Sequence, residues 1–576
     1  MADSNSGGTK GPGQAKELPM ELRLLLAFIL MGVVLFLTPY FYKTVTPPVK
    51  KGAVAAKVAP VTAPGGTPAP VPIETVAASS AEPVVPPVAA QQEETQVIDT
   101  DLFRVTFTNK GGVVKSWLLK KYKAHNGAPL ELVNPKAHTD PPGSLYFPER
   151  KPAVDLNQAL YKVDTDGLSI RFEFSNGSLA AHKSFQFSKN SYLINVSTDV
   201  VDGGKPVPSE VEWRGGFGDM GVTNPAGAQQ TLRFDLNDSK LIKTGAKVAK
   251  NGPATVTGNY SFAGIEDQYF VAVFLPEHSG QVEMTTFSDS AATPQESKEL
   301  QFAGVAVGEG PSNHFSLYVG PKDIYTLRAV NPKLEQVVDF GWPGIAILAK
   351  YLFLAVNWFA HHAIPNYGWS IIVVTILLNF LLFPLKLTSM KSMKKMQALQ
   401  PQIAAINEKY KNVGLRDPRK AEQNQEVMEL YKKYGVNPMG GCVPMLLQFP
   451  FIIAFYRVFS VSVEMRGASW LWVTDLSQPE TLPIHILPIV MIISQFIMQK
   501  MTPTTPGADP SQQKMMMIMP LAFGFMFYNF SSGLVLYYLT SNLVGMAQQW
   551  FFNRTSLAAV AAQSVQPPKK KKNGRK

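Results

Sequence analysis

The stretch GWSIIVVTILLNFLLFPL at 368–385 carries no charge, and it is one of several. Apolar segments also lie at 22–42, 444–463, 484–500 and 515–552. Runs of this length are what a bilayer selects. The mean hydropathy is +0.00 although the chain holds 54 Lys and Arg, so apolar and polar residues are segregated into separate segments. The run 515–552 is too long for one crossing and contains Asn529-Phe530-Ser531-Ser532-Gly533, a turn signal. It reads as two short spans, 515–529 and 533–552.

Charge orients these segments. Lys386 to Lys433 is basic, with Lys391, Lys394, Lys395, Lys409, Lys411, Arg416, Arg419, Lys420 and Lys432, and the tail PPKKKKNGRK is basic too. The connection 464–483 sets Glu464, Asp475 and Glu480 against Arg466. The positive-inside rule puts the basic insert and the tail (553–576) in the cytoplasm, so an even number of crossings separates them. With 22–42 and 368–387 the total is six spans. The insert at 388–435 has helical periodicity on both sides of a break near Asn412 to Pro418 and reads as a basic αα-hairpin.

Ahead of the second span the chain changes character three times. Residues 1–21 are polar and read as a flexible cytoplasmic terminus. The anchor 22–42 has no small-residue cleavage site after it, so it is expected to stay attached. Residues 44–97, with VAPVTAPGGTPAPVP, are a Pro/Ala-rich tether. From 98 to 331, LFRVTFTNKGG, LSIRFEFSNGS and KSFQFSKNSYLINVSTDVV alternate apolar and polar residues between Gly and Asn punctuation. That is the pattern of a large antiparallel β-sandwich, placed outside by the topology. Cys442 is the one cysteine, so no intramolecular disulfide supports that domain. Residues 332–362, rich in aromatics such as Trp342, Tyr351 and Trp358, read as an amphipathic helix along the membrane surface, or else as one more span.

Catalytic signatures are missing. There is no phosphate-binding GxxxxGK[ST], no HExxH and no paired CxxC, and spans 2 to 6 contain no Asp or Glu. The sequence therefore points away from an enzyme, a proton-coupled transporter and any cofactor or metal. The spans carry uncharged polarity instead. Thr375, Asn379 and Lys386 fall on one helical face, as do Tyr538, Asn542 and Gln549, with Gln448 in span 3. Each alone reads as interhelical hydrogen-bonding; a polar face on two spans together reads equally as a shared wet surface.

NPMGGCVPMLLQFPFIIAFY, QKMTPTTPGADPSQQKMM and SSGLVLYYLTSNLV, with VDFGW and LQPQIAAINEKY, closely resemble the YidC/Oxa/Alb family of membrane protein insertases. The anchor, tether and outer domain resemble its bacterial two-membrane form. The resemblance implies an inner-membrane protein with a five-helix core and a periplasmic β-supersandwich. It implies a hydrophilic groove, open to the cytoplasm and to lipid, that takes the polar segment of a nascent membrane protein without nucleotide hydrolysis. On this resemblance Thr375, Tyr537, Tyr538, Gln448 and Ile452 line or flank the groove, with Asn379 and Asn542 beside them. It also implies the Sec translocon as a partner, and the ribosome and signal recognition particle pathway through the hairpin. The basic tail is open to ribosomal RNA or anionic lipids.

One position departs from the family pattern. Asn379 stands where the family has a groove arginine, while Arg457 stands in span 3 where apolar residues are usual. Both lie roughly 10–14 Å below the outer surface. Arg457 either supplies the missing charge or snorkels to the outer headgroups. A competing function is an envelope scaffold or binding protein acting through its periplasmic β domain.

Overall fold

The computed structural model describes residues 86–556 except 125–126, 223, 278–279, 296, 412–416, 437–442, 503–517, 519–520 and 523. The anchor, most of the tether, part of span 5 and the basic tail lie outside the described residues.

From 95 to 321 the chain is antiparallel β-structure in three sheets of four, ten and five strands. The sandwich arises from a change of sheet. Phe270–Pro276 belongs to the ten-stranded sheet; the chain then crosses to the five-stranded sheet for Val282–Ala291 and Leu300–Gly308. It returns as Ser312–Pro321 to pair with Phe270–Pro276, Phe270 opposite Pro321 and Val273 opposite Tyr318. Alternation buries one face of each sheet: Ile194, Val196, Thr198 and Val200 are buried along Leu193–Asp202. Phe103, Phe107, Trp117, Phe172, Phe185 and Phe187 form an aromatic centre with ring centroids 5.0–6.3 Å apart. Lys183 is buried within it, its Nζ donating to Gly111 O at 2.7 Å and Gly143 O at 2.9 Å. Both carbonyls compensate part of the cost of burying that amine.

The tether ends earlier than the sequence indicates. Val88 exchanges backbone hydrogen bonds with Ser175 at 2.8 and 2.7 Å, and Thr95–Asp99 is already the edge strand of the four-stranded sheet. The alternating TQVID run gains a ladder partner that the proline-rich residues before it could not use.

The helices follow. They are α1 (Ile324–Val330), α2 (Pro343–His362), α3 (Tyr367–Leu381), α4 (Phe383–Ala398), α5 (Gln400–Lys409), α6 (Arg419–Lys433), α7 (Val443–Val461), α8 (Ile486–Met501) and α9 (Ser532–Ser556). The segment 332–362 is not one helix: a 3₁₀ turn at Pro332–Val337 and a break at 338–342 precede α2, whose first residue is Pro343. Span 2 is likewise broken, α3 and α4 meeting at 57° next to Pro384, which has no N–H to continue the ladder. Helices α5 and α6 pack on one another around Ile403 and Tyr431, with Leu399, just before α5, in the same cluster. Among the described residues, α2 alone is long and apolar enough to cross a bilayer, and α3 with α4 passes that test as a bent pair. Helix α9 packs on α3, α7 and α8, and α2 on α3 and α7.

A polar cavity between the helices

Helices α3, α7 and α9 enclose a cavity where their apolar sequences each offer a polar side chain. Leu378, Asn379, Leu382, Lys386, Leu447, Gln448, Phe451, Tyr537 and Ser541 line it, and about 10 Å³ is open to a water's centre, room for roughly one molecule.

Asn379 is its hub and is only 3% exposed. Its Nδ2 donates to Thr375 O at 2.8 Å and to Ser541 Oγ at 3.4 Å, while its Oδ1 accepts from Lys386 Nζ at 2.6 Å. Gln448 Nε2 donates to the same Ser541 Oγ at 3.1 Å, and Gln548 Nε2 donates to Asn379 O at 3.2 Å. Three helices are thus joined through one amide and one hydroxyl, each interaction strengthened by apolar surroundings. Lys386 begins beyond the bend in α4 and reaches back across it. Among the described residues no carboxylate pairs with Lys386.

The residues expected from the sequence divide. Asn379, Gln448 and Tyr537 line the cavity, and Tyr537 stacks on Phe455 with centroids 4.2 Å apart. Thr375 is buried one turn above, its hydroxyl donating to Ile371 O at 2.7 Å. Tyr538 faces elsewhere, against Phe527 at 5.2 Å, and Asn542 Nδ2 donates to Ser494 Oγ of α8 at 3.0 Å. Ile452 packs in the apolar core. Arg457 is not brought to Asn379: its guanidinium lies against Gly341, in the turn before α2. Of the two alternatives for Arg457, supplying the groove charge or reaching to the headgroups, this position does not favour the first: the phase of α7 carries the side chain to the opposite side from Gln448.

Sequence reading passed over Lys386 as the cation, although it shares a face with Thr375 and Asn379. It also passed over Ser541, one turn after Tyr537, a position that marks it as a cavity residue. The arrangement supplies amides, hydroxyls and one ammonium but no acid, base pair or nucleophile. No group of His, Cys, Asp and Glu suited to a metal occurs among the described residues.

Ser532 N and Oγ donate to Gln478 O at 2.8 and 2.9 Å, and Gly533 N donates to Leu476 O at 2.8 Å. The connection between α7 and α8 is tied in this way over the start of α9.

Two family models match the sequence: "60Kd inner membrane protein" over residues 358–559 and "YidC periplasmic domain" over 95–355. The membrane protein insertase YidC of Syntrophus aciditrophicus (strain SB) is 33% identical over 561 residues, 93% of this chain and 100% of its own. That of Geotalea daltonii is 35% identical over 556 residues, 93% and 99% of the two chains. A crystal structure of an active YidC insertase with its first transmembrane domain resolved is 19% identical, covers 81% of this chain and 95% of its own, and superposes with a TM-score of 0.35.

Proposed function

The chain belongs to the YidC family of membrane protein insertases, and from that premise we propose that it receives substrates in the cavity around Asn379, with Lys386 as the cation. It is an inner-membrane protein with a periplasmic β domain, and it is not an enzyme. Insertion requires only that the barrier for a polar segment entering hydrocarbon be lowered. Each unsatisfied polar group there costs several kcal/mol, roughly. Amides and a hydroxyl, in a cavity with room for about one water, shorten the dry path.

The observation that carries the reading is the 2.6 Å contact of Lys386 Nζ with Asn379 Oδ1, in a helix-lined cavity where no described carboxylate neutralises the lysine. A cation held by a neutral amide keeps its charge available to a carboxylate on an incoming outer tail. The topology that serves this function has six spans, with α3 and α4 as a bent second span. Helix α2 lies at the periplasmic surface, and the α5–α6 hairpin and the tail lie in the cytoplasm. The hairpin suits contact with the Sec translocon and with the ribosome and signal recognition particle pathway; the tail suits ribosomal RNA or anionic lipid.

The test is rescue of insertion in cells depleted of their own insertase, read as protease accessibility of an acidic outer tail at matched expression. Lys386→Gln is expected to slow tail translocation roughly tenfold, about one charge-assisted hydrogen bond. Lys386→Arg should rescue, and so should adding Asn379→Arg to Lys386→Gln. Equal insertion by Lys386→Gln and the native chain would remove the ammonium from the mechanism.

A further inference from the structure

The connection between α7 and α8 contains a hairpin with a two-residue tip. Trp470 and Val473 exchange backbone hydrogen bonds at 2.8 Å in both directions, leaving Leu471 and Trp472 at the turn. Leu471 adopts φ +49°, in the left-handed region where glycine is free and leucine is strained. Among the described residues only Ser239 shares a positive φ without being glycine, and serine is an ordinary turn residue. Packing inside the protein does not offset the strain at Leu471, whose side chain is 65% exposed. Strain held beneath an exposed apolar side chain points to something outside the chain.

The tip is also held rigidly. Trp472 is 41% exposed, yet its Nε1 donates to Glu480 Oε1 at 2.7 Å. Glu480 is buried, and its Oε2 accepts from Leu487 N at 2.9 Å at the start of α8. Trp470 is buried against the start of α3, where Gly368 leaves it the space that a Cβ would fill. Asn366 Nδ2 donates to Ser469 O at 3.0 Å beside it. The Trp470 ring lies 5.7 Å from that of Trp369 and 5.8 Å from that of Trp472, so three indoles stand in a row. From Gly467 to Thr474 the chain carries no charge. Indoles gather in this way at the level where headgroups meet acyl chains.

We propose that Leu471 and Trp472 form a membrane peg. The tip seats in the outer leaflet, with the indoles at the headgroups and Leu471 among the first acyl carbons. Lipid is the occupant because the tip joins two spans, α7 and α8, and rests on a third, α3. Exposed apolar side chains also continue from Ile484 into α8 at Ile486, Ile489 and Ile493. A leucine already held away from the protein surface needs no further ordering, so burying it in lipid fixes the depth of the connection. The inference rests on the outer placement of this connection in the six-span reading above, and it is independent of Lys386.

The experiment is the collision accessibility of a nitroxide on the full chain carrying Cys442→Ser and Leu471→Cys, in vesicles of phosphatidylethanolamine and phosphatidylglycerol. Val248→Cys, at an exposed site of the β domain, is the aqueous reference. At position 471 oxygen should relax the label severalfold more than a water-soluble nickel chelate does, and at 248 the order should reverse. Nickel accessibility at 471 equal to that at 248 would overturn the proposal. Should the labelled chain not fold, Trp472→Phe supplies the second reading. The emission it removes should be quenched severalfold by phospholipids brominated near the glycerol end, and unquenched emission would equally overturn the peg. A membrane-impermeant thiol reagent added to spheroplasts carrying Val248→Cys reads the side. No reaction there would overturn the outer placement, and the outer leaflet with it. Reaction there together with a nickel-exposed 471 would remove the peg and leave the insertase reading standing.

Discussion

Glu212 is 2% exposed, and its Oε1 finds no hydrogen-bond partner among the described residues, while Arg214 Nη1 stands 3.8 Å from Oε2. Burial pushes its carboxyl up to about 8, against the pull of Arg214. Glu210 on the same strand is pushed up to about 7 by burial, partly offset by the Thr285 hydroxyl donating at 3.0 Å. Both folded values exceed those of an unfolded chain, so the folded domain favours the protonated acids. The stability they contribute is complete below about pH 4.5 and is lost as pH rises through 7 and 8. Lys183, drawn down to about 7 by burial, has the opposite sign and regains stability above that value. The thermal midpoint of the β domain should therefore fall between about pH 5 and 7 and level off above it, where Lys183 offsets Glu212, and Glu212→Gln should roughly halve the fall. Fluorescence of Trp117 and Trp213, whose rings lie 5.7 Å apart, reports the transition. An unchanged slope in Glu212→Gln would show that this acid is already ionised in the folded domain.

Among the elements, the seam between α7, α9 and the outer connection leaves the least room. A Cβ on Gly533 would stand 2.6 Å from Phe459 Cε1 and 3.0 Å from Leu476 O. On Gly545, further along α9, it would stand 3.2 Å from the mobile end of Met498. Helix propensity favours alanine at both by about 1 kcal/mol. Gly545→Ala should then be neutral or stabilising, while Gly533→Ala should lose about 1–3 kcal/mol to overpacking. Thermal midpoints of the two variants separate these outcomes, and equal midpoints would mean that Phe459 gives way freely. The same seam explains what could be read in the sequence. The β domain was legible because alternation reports burial directly, and Asn379 because an amide in an apolar run needs partners. The hairpin helices α5 and α6 were legible from their 3.6-residue period. The break at 338–342 and the bend at Leu382 were harder to read, since Pro343 and Pro384 permit a turn without fixing its angle. That angle decides which cation reaches Asn379, so Lys386 was passed over in favour of Arg457. Ser541 was hidden for another reason: its two partners sit on α3 and α7, far away in sequence.

At the scale of the whole molecule, the β domain is fastened to the helical part by a buried ion pair. Arg466, in the connection between α7 and α8, donates from Nε and Nη2 to Asp219 Oδ2 at 2.8 and 2.5 Å, with side chains 5% and 3% exposed. Asp219 N donates in turn to Asp267 Oδ2 at 2.6 Å, and beside it Gln268 Nε2 donates to Ser460 O at 3.0 Å. The same connection is hydrogen-bonded to the start of α9 through Leu476 and Gln478, so the β domain is tied through it to α9 as well. Replacing one partner leaves the other buried and unpaired. Arg466→Met or Asp219→Leu should each cost about 3–5 kcal/mol, whereas the double substitution should recover most of it, because the desolvation cost of both charges disappears together. Limited proteolysis between α7 and α8 reads the junction: fast cleavage in each single variant and near-native resistance in the double. Such a result would make the pair a matching device, holding the connection between α7 and α8 in one register with little net stabilisation. Resistance in all three variants would instead assign the junction to contacts other than this ion pair, such as the hydrogen bond from Gln268 to Ser460, with the ion pair contributing nothing that the helices depend on.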